Sequence, residues 1–146
     1  MRKLIIMRHG EAENLATNDR DFDRHLTAKG IEQVRSVASQ LLDWDEWYPE
    51  KILCSPSQRT RETYEQIHEE TKFEADINYL DQFYANNWES VLERIEELPS
   101  NLKVVLLIGH NPTLSELVSN LIQKSLNLNP SEIVLLKTPQ KTWMDA

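Results

Sequence analysis

Short apolar runs alternate with longer amphipathic segments along this chain, and this alternation restricts its fold more than any other feature of the sequence. The apolar runs are brief and rich in branched aliphatic residues, as is typical of strands that are buried on both faces. They lie at residues 4–7, 52–54, 104–108 and 133–136, and a weaker run lies at residues 77–80. Each run is predicted to be a strand.

The segments between these runs have helical periodicity. Apolar residues recur at the spacing of one helix face within residues 31–42, 64–67, 91–98 and 114–122. Strands that alternate with helices along a chain favour helices on both faces of a parallel sheet. The sequence therefore predicts an α/β fold, a three-layer α/β/α sandwich with a mostly parallel central sheet.

Polar residues and prolines suggest where three of the predicted helices begin or end. The second helix is expected to begin near Ser55 and Pro56, and Pro99 is expected to stop the third. The fourth follows Asn111 and Pro112, which suit the N-cap and the first helical position.

The bulk properties are those of one small domain, expected over residues 1–146. The net charge of −8 argues against general nucleic-acid binding, which relies on Lys and Arg. No stretch is long and apolar enough to cross a membrane, and the apolar start is expected to be a buried strand and not a signal peptide. The single cysteine, Cys54, fits a reducing, cytoplasmic location. Nothing in the sequence demands more than a monomer.

Three polar segments directly follow predicted strands. They read Arg-His-Gly-Glu at residues 8–11, Ser-Pro-Ser-Gln-Arg at residues 55–59 and Gly-His-Asn-Pro at residues 109–112. If the strands are parallel neighbours, all three segments open at the carboxyl edge of the sheet, where α/β proteins bind ligands. The sequence therefore predicts one cleft that contains all three.

The side chains of these segments suit phosphoryl chemistry. Arg8 and Arg59 carry guanidinium groups that can hold phosphate oxygens in a fixed geometry. His9 and His110 supply a candidate nucleophile and a candidate second cation. A neutral imidazole can attack phosphorus and form a covalent intermediate that water later hydrolyses. Positive groups around it would stabilise the charge of the transition state.

Four motifs of the chain, taken together, resemble a known family. In order they are Arg-His-Gly at residues 8–10, Leu-Thr-Ala-Lys-Gly at residues 26–30 with Gln33 after it, Ser-x-x-x-Arg at residues 55–59 with Thr63 after it, and Gly-His-Asn-Pro at residues 109–112. This set and its order are similar to those of the histidine phosphatase superfamily, also called the phosphoglycerate-mutase-like family. One tripeptide alone is weak evidence, but four motifs in family order are strong.

The resemblance implies a role for each matching residue. His9 would be the nucleophile and would carry a phosphohistidine intermediate, while Arg8, Arg59 and His110, with Asn111 beside them, would bind the phosphoryl group. The short length and the Gly-His-Asn-Pro motif are most similar to SixA-type phosphohistidine phosphatases, which act on signalling phosphotransfer proteins. His25 stands where proline is usual in that branch, and no functional loss is expected from this difference.

One departure from the family concerns the general acid. Larger members carry a glutamate acid in an inserted segment, and no residue here matches that motif. Glu11, Asp81 and Glu89 are loose candidates only. An alkoxide leaving group needs a proton, whereas a phosphorylated imidazole can leave as a neutral ring once its other nitrogen is protonated. The missing acid therefore favours an N-phosphorylated substrate, a protein phosphohistidine.

Two other functions stay open on the sequence. The chain could be a phosphatase for a small phosphorylated metabolite, with Glu89 or Asp81 as the acid, or a phosphate-binding module without turnover. No cofactor or metal is expected in any of these cases. The acidic residues Asp19, Asp21 and Asp23 are interpreted as a solvated loop and not as a metal site.

Overall fold

Five strands form a single sheet in the computed structural model, which describes residues 1–14, 20–84, 87–139 and 143. The strands are β1 (Arg2–Arg8), β2 (Lys51–Cys54), β3 (Asp76–Tyr79), β4 (Val104–Gly109) and β5 (Ile133–Thr138). They lie in the order β3-β2-β4-β1-β5. Every neighbouring pair is parallel except β1 and β5, which are antiparallel. The predicted mostly parallel sheet is confirmed.

Four helices cover the two faces of the sheet: α1 (Ala28–Leu42), α2 (Gln58–Thr71), α3 (Trp88–Glu96) and α4 (Thr113–Ile122). Successive side chains of a strand point to opposite faces, and β1 illustrates the result. Ile5 and Met7 belong to a core with residues of α1 and α2. Leu4 and Ile6 belong to a second core with residues of α3 and α4. The fold is therefore the predicted three-layer sandwich.

The starts of two helices differ from the prediction. Helix α2 begins at Gln58, because the Ser57 side chain accepts a hydrogen bond from the Thr60 N–H and caps the helix there. Helix α4 begins at Thr113, with Pro112 in the N-cap position. Asn111 still serves the helix start, since its Oδ1 accepts from the Ser115 N–H at 3.1 Å.

Several short segments complete the chain. Two single-turn 3-10 helices, Asp21–Asp23 and Asp81–Phe83, matter for the site described below, and a third spans Asp45–Trp47. None of the described helices has the length and apolar character that a membrane span requires.

Candidate active site

The three polar segments meet because β4 lies between β1 and β2 in the sheet. The carboxyl ends of these parallel strands surround a pocket of about 540 Å³. The pocket is lined by Arg8, His9, Asp21, Arg24, Arg59, Tyr84, His110, Asn111, Pro112, Thr113 and Glu116. All five residues predicted to bind or attack a phosphoryl group are in this set.

His9 is held firmly, and its ring has a defined free nitrogen. Its backbone N–H donates to the Gly109 carbonyl at 3.1 Å, and its own carbonyl accepts from the Ser131 N–H at 2.9 Å. The ring Nδ1 lies 2.6 Å from the Gly10 carbonyl. Because a carbonyl can only accept, Nδ1 carries the proton and Nε2 keeps the lone pair. This is the tautomer of an imidazole that can act as a nucleophile through Nε2.

Burial keeps His9 neutral. Loss of contact with water and, to a smaller extent, the charges of Arg59 and Arg8 lower its pKa to about 4, against the opposing effect of the Gly10 hydrogen bond. The ring is therefore uncharged at neutral pH, which is the form that has a lone pair to give.

Close packing of the loop after β1 explains the Leu-Thr-x-x-Gly motif. A Cβ on Gly30 would lie 2.1 Å from the Glu11 carbonyl oxygen, so only glycine allows helix α1 to approach this loop. The Gly10 N–H donates to the Thr63 hydroxyl at 3.2 Å, and that hydroxyl donates to the Arg59 carbonyl at 2.8 Å. The first two segments are thereby joined through Thr63.

His110 lies beside His9, with 5.3 Å between the ring centroids. Its Nε2 is 2.7 Å from the Ser55 hydroxyl, and its buried Nδ1 has no hydrogen-bond partner among the described residues. Burial and, to a smaller extent, the neighbouring charges of His9 and Arg59 lower the pKa of His110 to about 3. His110 is thus uncharged at neutral pH, whereas the sequence suggested a second cation.

The two arginines of the pocket are only partly paired with other described residues. Nη1 of Arg8 donates to the Leu128 carbonyl at 3.0 Å, and Arg59 donates to Asp21. The Nε atoms of both arginines are buried and have no hydrogen-bond partner in the described part of the chain. The positive charges of these two arginines at one pocket suit an anionic ligand.

Asn111 lines the pocket but uses its amide for structure. Its Nδ2 donates at 2.7 Å to the Leu128 carbonyl, which also accepts from Arg8, and its Oδ1 accepts from the Ser115 hydroxyl at 2.7 Å. Asn111 therefore fixes the loop that holds Arg8.

The three candidate acids of the sequence analysis lie elsewhere. Glu11 faces Lys29, with 3.8 Å between carboxylate and ammonium, and Asp81 and Glu89 are exposed. None of these three lines the pocket, whereas two other described carboxylates, Asp21 and Glu116, do.

Sequence reasoning missed five pocket residues: Asp21, Arg24, Tyr84, Thr113 and Glu116. The interpretation of Asp21 as part of a solvated loop is wrong, because its side chain accepts hydrogen bonds from Arg24, Arg59 and Tyr84. Asp23 fits that interpretation, since its side chain is exposed and its ion pair with Arg20, at 3.9 Å, is with another exposed side chain. Asp19 lies outside the described residues. The three-residue spacing of Asp21 and Arg24 hinted at their pairing, but no sequence signal linked Asp21 to Arg59.

Comparison of the sequence with known proteins agrees with the geometry of the site. The family model described as the histidine phosphatase superfamily (branch 1) matches residues 4–90, which include the first three motifs. The chain belongs to the histidine phosphatase superfamily. Membership supports a phosphatase, an enzyme that hydrolyses phosphoryl groups.

Within the histidine phosphatase superfamily, the chain resembles the SixA type. A phosphohistidine phosphatase SixA homolog from Haemophilus influenzae is 31% identical over 158 residues, which cover 96% of this chain and 87% of the relative. A crystal structure from Agrobacterium tumefaciens, assigned as a SixA phosphohistidine phosphatase, has a TM-score of 0.85 at 27% identity, covering 92% of this chain and 90% of that chain. The structure of a SixA protein histidine phosphatase with tungstate shares the fold, with a TM-score of 0.81 at 24% identity over 92% of this chain and 87% of that chain.

Proposed function

We propose that this chain is a phosphohistidine phosphatase in which His9 attacks the phosphorus of a protein phosphohistidine. The observation that carries the proposal is the state of His9: a neutral ring with Nδ1–H bound to the Gly10 carbonyl and Nε2 unprotonated. Nε2 forms a bond to phosphorus while the bond from phosphorus to the substrate imidazole breaks. Water then attacks phosphorus, the bond to Nε2 breaks, and phosphate leaves with His9 neutral again.

Arg8 and Arg59 stabilise the phosphoryl group during both steps. Their guanidinium N–H donors and positive charges suit the equatorial oxygens, where negative charge spreads in the transition state. A bound anion would also raise the pKa of His110, because a nearby negative charge favours the protonated ring. The proposed mechanism takes its positive charge from these side chains and uses no metal or cofactor.

The carboxylates favour an N-phosphorylated substrate. Asp21 is a poor proton donor, because hydrogen bonds from Tyr84, Arg24 and Arg59 outweigh its burial and hold its pKa well below the usual range. The substrate imidazole, protonated on its second ring nitrogen, needs no proton from the enzyme to leave. The likeness to a SixA homolog from Haemophilus influenzae supports the same substrate class.

Glu116 favours a second candidate function, the hydrolysis of a small phosphomonoester. It is the pocket carboxylate that has an exposed position at the start of α4, where it could donate a proton to an alkoxide leaving group. In this case Glu116, and not Asp81 or Glu89, would be the acid. The third possibility, a binding module without turnover, leaves the reactive tautomer of His9 without a purpose.

One experiment tests the proposal and separates it from both alternatives. The protein is reacted with phosphoramidate and quenched in alkali, and mass spectrometry locates acid-labile phosphate. We expect a phosphate on His9 that turns over, none in His9→Ala, and normal labelling in His68→Ala, which changes an exposed histidine away from the pocket. No label on His9 would contradict the proposal and favour the binding module. Hydrolysis of a phosphomonoester that collapses in Glu116→Gln would favour the second candidate.

A further inference from the structure

The guanidinium of Arg59 is held at one end by Asp21. Nη1 donates to the Asp21 backbone carbonyl at 2.7 Å, and Nη2 donates to Oδ2 of the same residue at 3.0 Å. The two residues lie far apart in the sequence, and the Arg59 side chain is only 7% exposed. One residue thus fixes both terminal nitrogens of a buried arginine.

This contact uses one of the two edges of the guanidinium. A guanidinium has an end edge, formed by Nη1 and Nη2, and a side edge, formed by Nε and Nη2, and each edge can bind an oxyanion through two N–H groups. Asp21 occupies the end edge of Arg59. The Nε of the side edge is buried and has no hydrogen-bond partner among the described residues.

Asp21 is itself held by other pocket residues. The Tyr84 hydroxyl donates to Oδ2 at 2.7 Å, and Nη1 of Arg24 donates to Oδ1 at 3.0 Å. The Tyr84 ring stands edge-on to Phe22, with 5.1 Å between ring centroids, and is 5.5 Å from the His110 ring. The Asp21 carboxylate is therefore held in place by hydrogen bonds from Arg59, Arg24 and Tyr84.

We infer that Asp21 is a positioning residue that holds the end edge of Arg59 and thereby fixes the guanidinium in the pocket for the phosphoryl group. The inference rests on the proposed function, because it assumes that Arg59 binds the phosphoryl group. It assigns the acidic turn Asp21–Asp23 a part in the reaction without contact between Asp21 and the reacting atoms.

The direction in which a substitution of Asp21 changes the affinity for an oxyanion tests this inference. Asp21 carries a negative charge next to an anion site, so by Coulomb's law its removal should tighten the binding of an oxyanion. If Asp21 positions Arg59, its removal should weaken that binding, because the arginine loses its fixed geometry. Orthovanadate is a suitable probe, since it is an oxyanion of phosphate-like charge and shape.

We expect Asp21→Asn to weaken vanadate binding on the order of tenfold, because the hydrogen bond from Arg59 Nη2 loses its charged acceptor. Asp23→Asn is the matched control, because it removes the same charge from the same turn at a position outside the pocket. It should leave vanadate affinity nearly unchanged. Tighter vanadate binding by Asp21→Asn would overturn the inference and make Asp21 a competitor of the substrate.

Introducing Asp21→Asn into an Arg59→Ala protein separates a positioning role of Asp21 from a merely structural one. In Arg59→Ala there is no guanidinium to position, so adding Asp21→Asn should no longer weaken vanadate binding and should tighten it slightly. A further loss in that background would mean that Asp21 acts through folding, and the inference would fail. If Arg59→Ala alone binds vanadate as the wild type does, the proposed function fails first. Should Asp21→Asn not fold, Tyr84→Phe replaces it, and unchanged vanadate affinity there would count against the inference.

Discussion

At the scale of single residues, environment sets the charge of each histidine. His9 and His110 are buried among arginines, and both have pKa values well below the ordinary value. His25 is exposed and lies 2.5 Å from a Glu62 carboxylate oxygen, and this hydrogen bond raises its pKa. The same side chain is thus neutral where it could attack phosphorus and charged more readily at the surface.

This difference predicts the pH dependence of the nucleophile. Nuclear magnetic resonance of labelled imidazole nitrogens should show His9 neutral, with Nδ1 protonated, from neutral pH down to about pH 5, while His25 becomes charged at a higher pH than an ordinary histidine does. Because the pKa of His9 is lowered, reaction through its neutral form persists above pH values of about 4 and is lost as the pH falls through that value. A His9 titration at or above the ordinary histidine pKa would contradict this assignment.

At the scale of elements, α1 and α2 hold the loops that carry the site. Glu62 of α2 accepts from the Leu26 N–H at 2.7 Å as well as contacting His25, so it fixes the segment that leads into α1. Helix α1 in turn packs closely on the loop after β1 through Gly30. The geometry of His9 therefore depends on residues of α1 and α2, such as Gly30 and Glu62, that do not line the pocket.

Gly30→Ala tests this dependence. Alanine normally favours a helix over glycine by about 1 kcal/mol, but here its Cβ would lie 2.1 Å from a backbone oxygen that cannot rotate away. We expect a net loss of about 1–3 kcal/mol in the free energy of unfolding, together with slower phosphorylation of His9. Urea denaturation measures the first effect, and exposed Ser36→Ala in the same helix is the control. A Gly30→Ala protein as stable as the wild type would show that the loop gives way freely.

At the scale of the whole molecule, a small cationic pocket lies in an acidic protein. The chain has a net charge of −8, yet Arg8, Arg24 and Arg59 line one cleft. Like charges close together oppose folding, and burial and the nearby charge of Arg59 lower the pKa of Arg8. A bound oxyanion would relieve both costs, so ligand binding and stability should be coupled.

Phosphate or vanadate should therefore stabilise the fold. A ligand at about 100 times its Kd adds about 2.7 kcal/mol to the free energy of unfolding, which thermal denaturation would record as a rise in Tm. Arg59→Ala should lose most of this rise. Arg61→Ala should keep it, because Arg61 lies 4.0 Å over the Tyr79 ring and does not line the pocket. Equal losses in the two variants would mean that the anion binds elsewhere.

The sequence alone determined the layers of the fold and the main members of the site. Hydrophobic periodicity is local, so it located the strands of the sheet and the helices between them. Residues at the carboxyl ends of parallel strands must share one edge of the sheet. The sequence alone therefore predicts that one cleft contains Arg8, His9, Arg59 and His110. Capping competes among neighbouring residues, which is why the start of α2 was predicted too early, near Ser55 and not at Gln58.

Only the tertiary structure decided the rest of the site. Three pocket residues come from other parts of the fold: a turn supplies Asp21, a loop supplies Tyr84 and a helix supplies Glu116. The local sequence of these elements contains no periodic signal for contact with Arg59 or His110. The protonation of His9 and His110 was also beyond the sequence, because a pKa depends on burial and on charges brought near by folding. Local patterns specify elements, whereas contacts between distant residues exist only once those elements have packed.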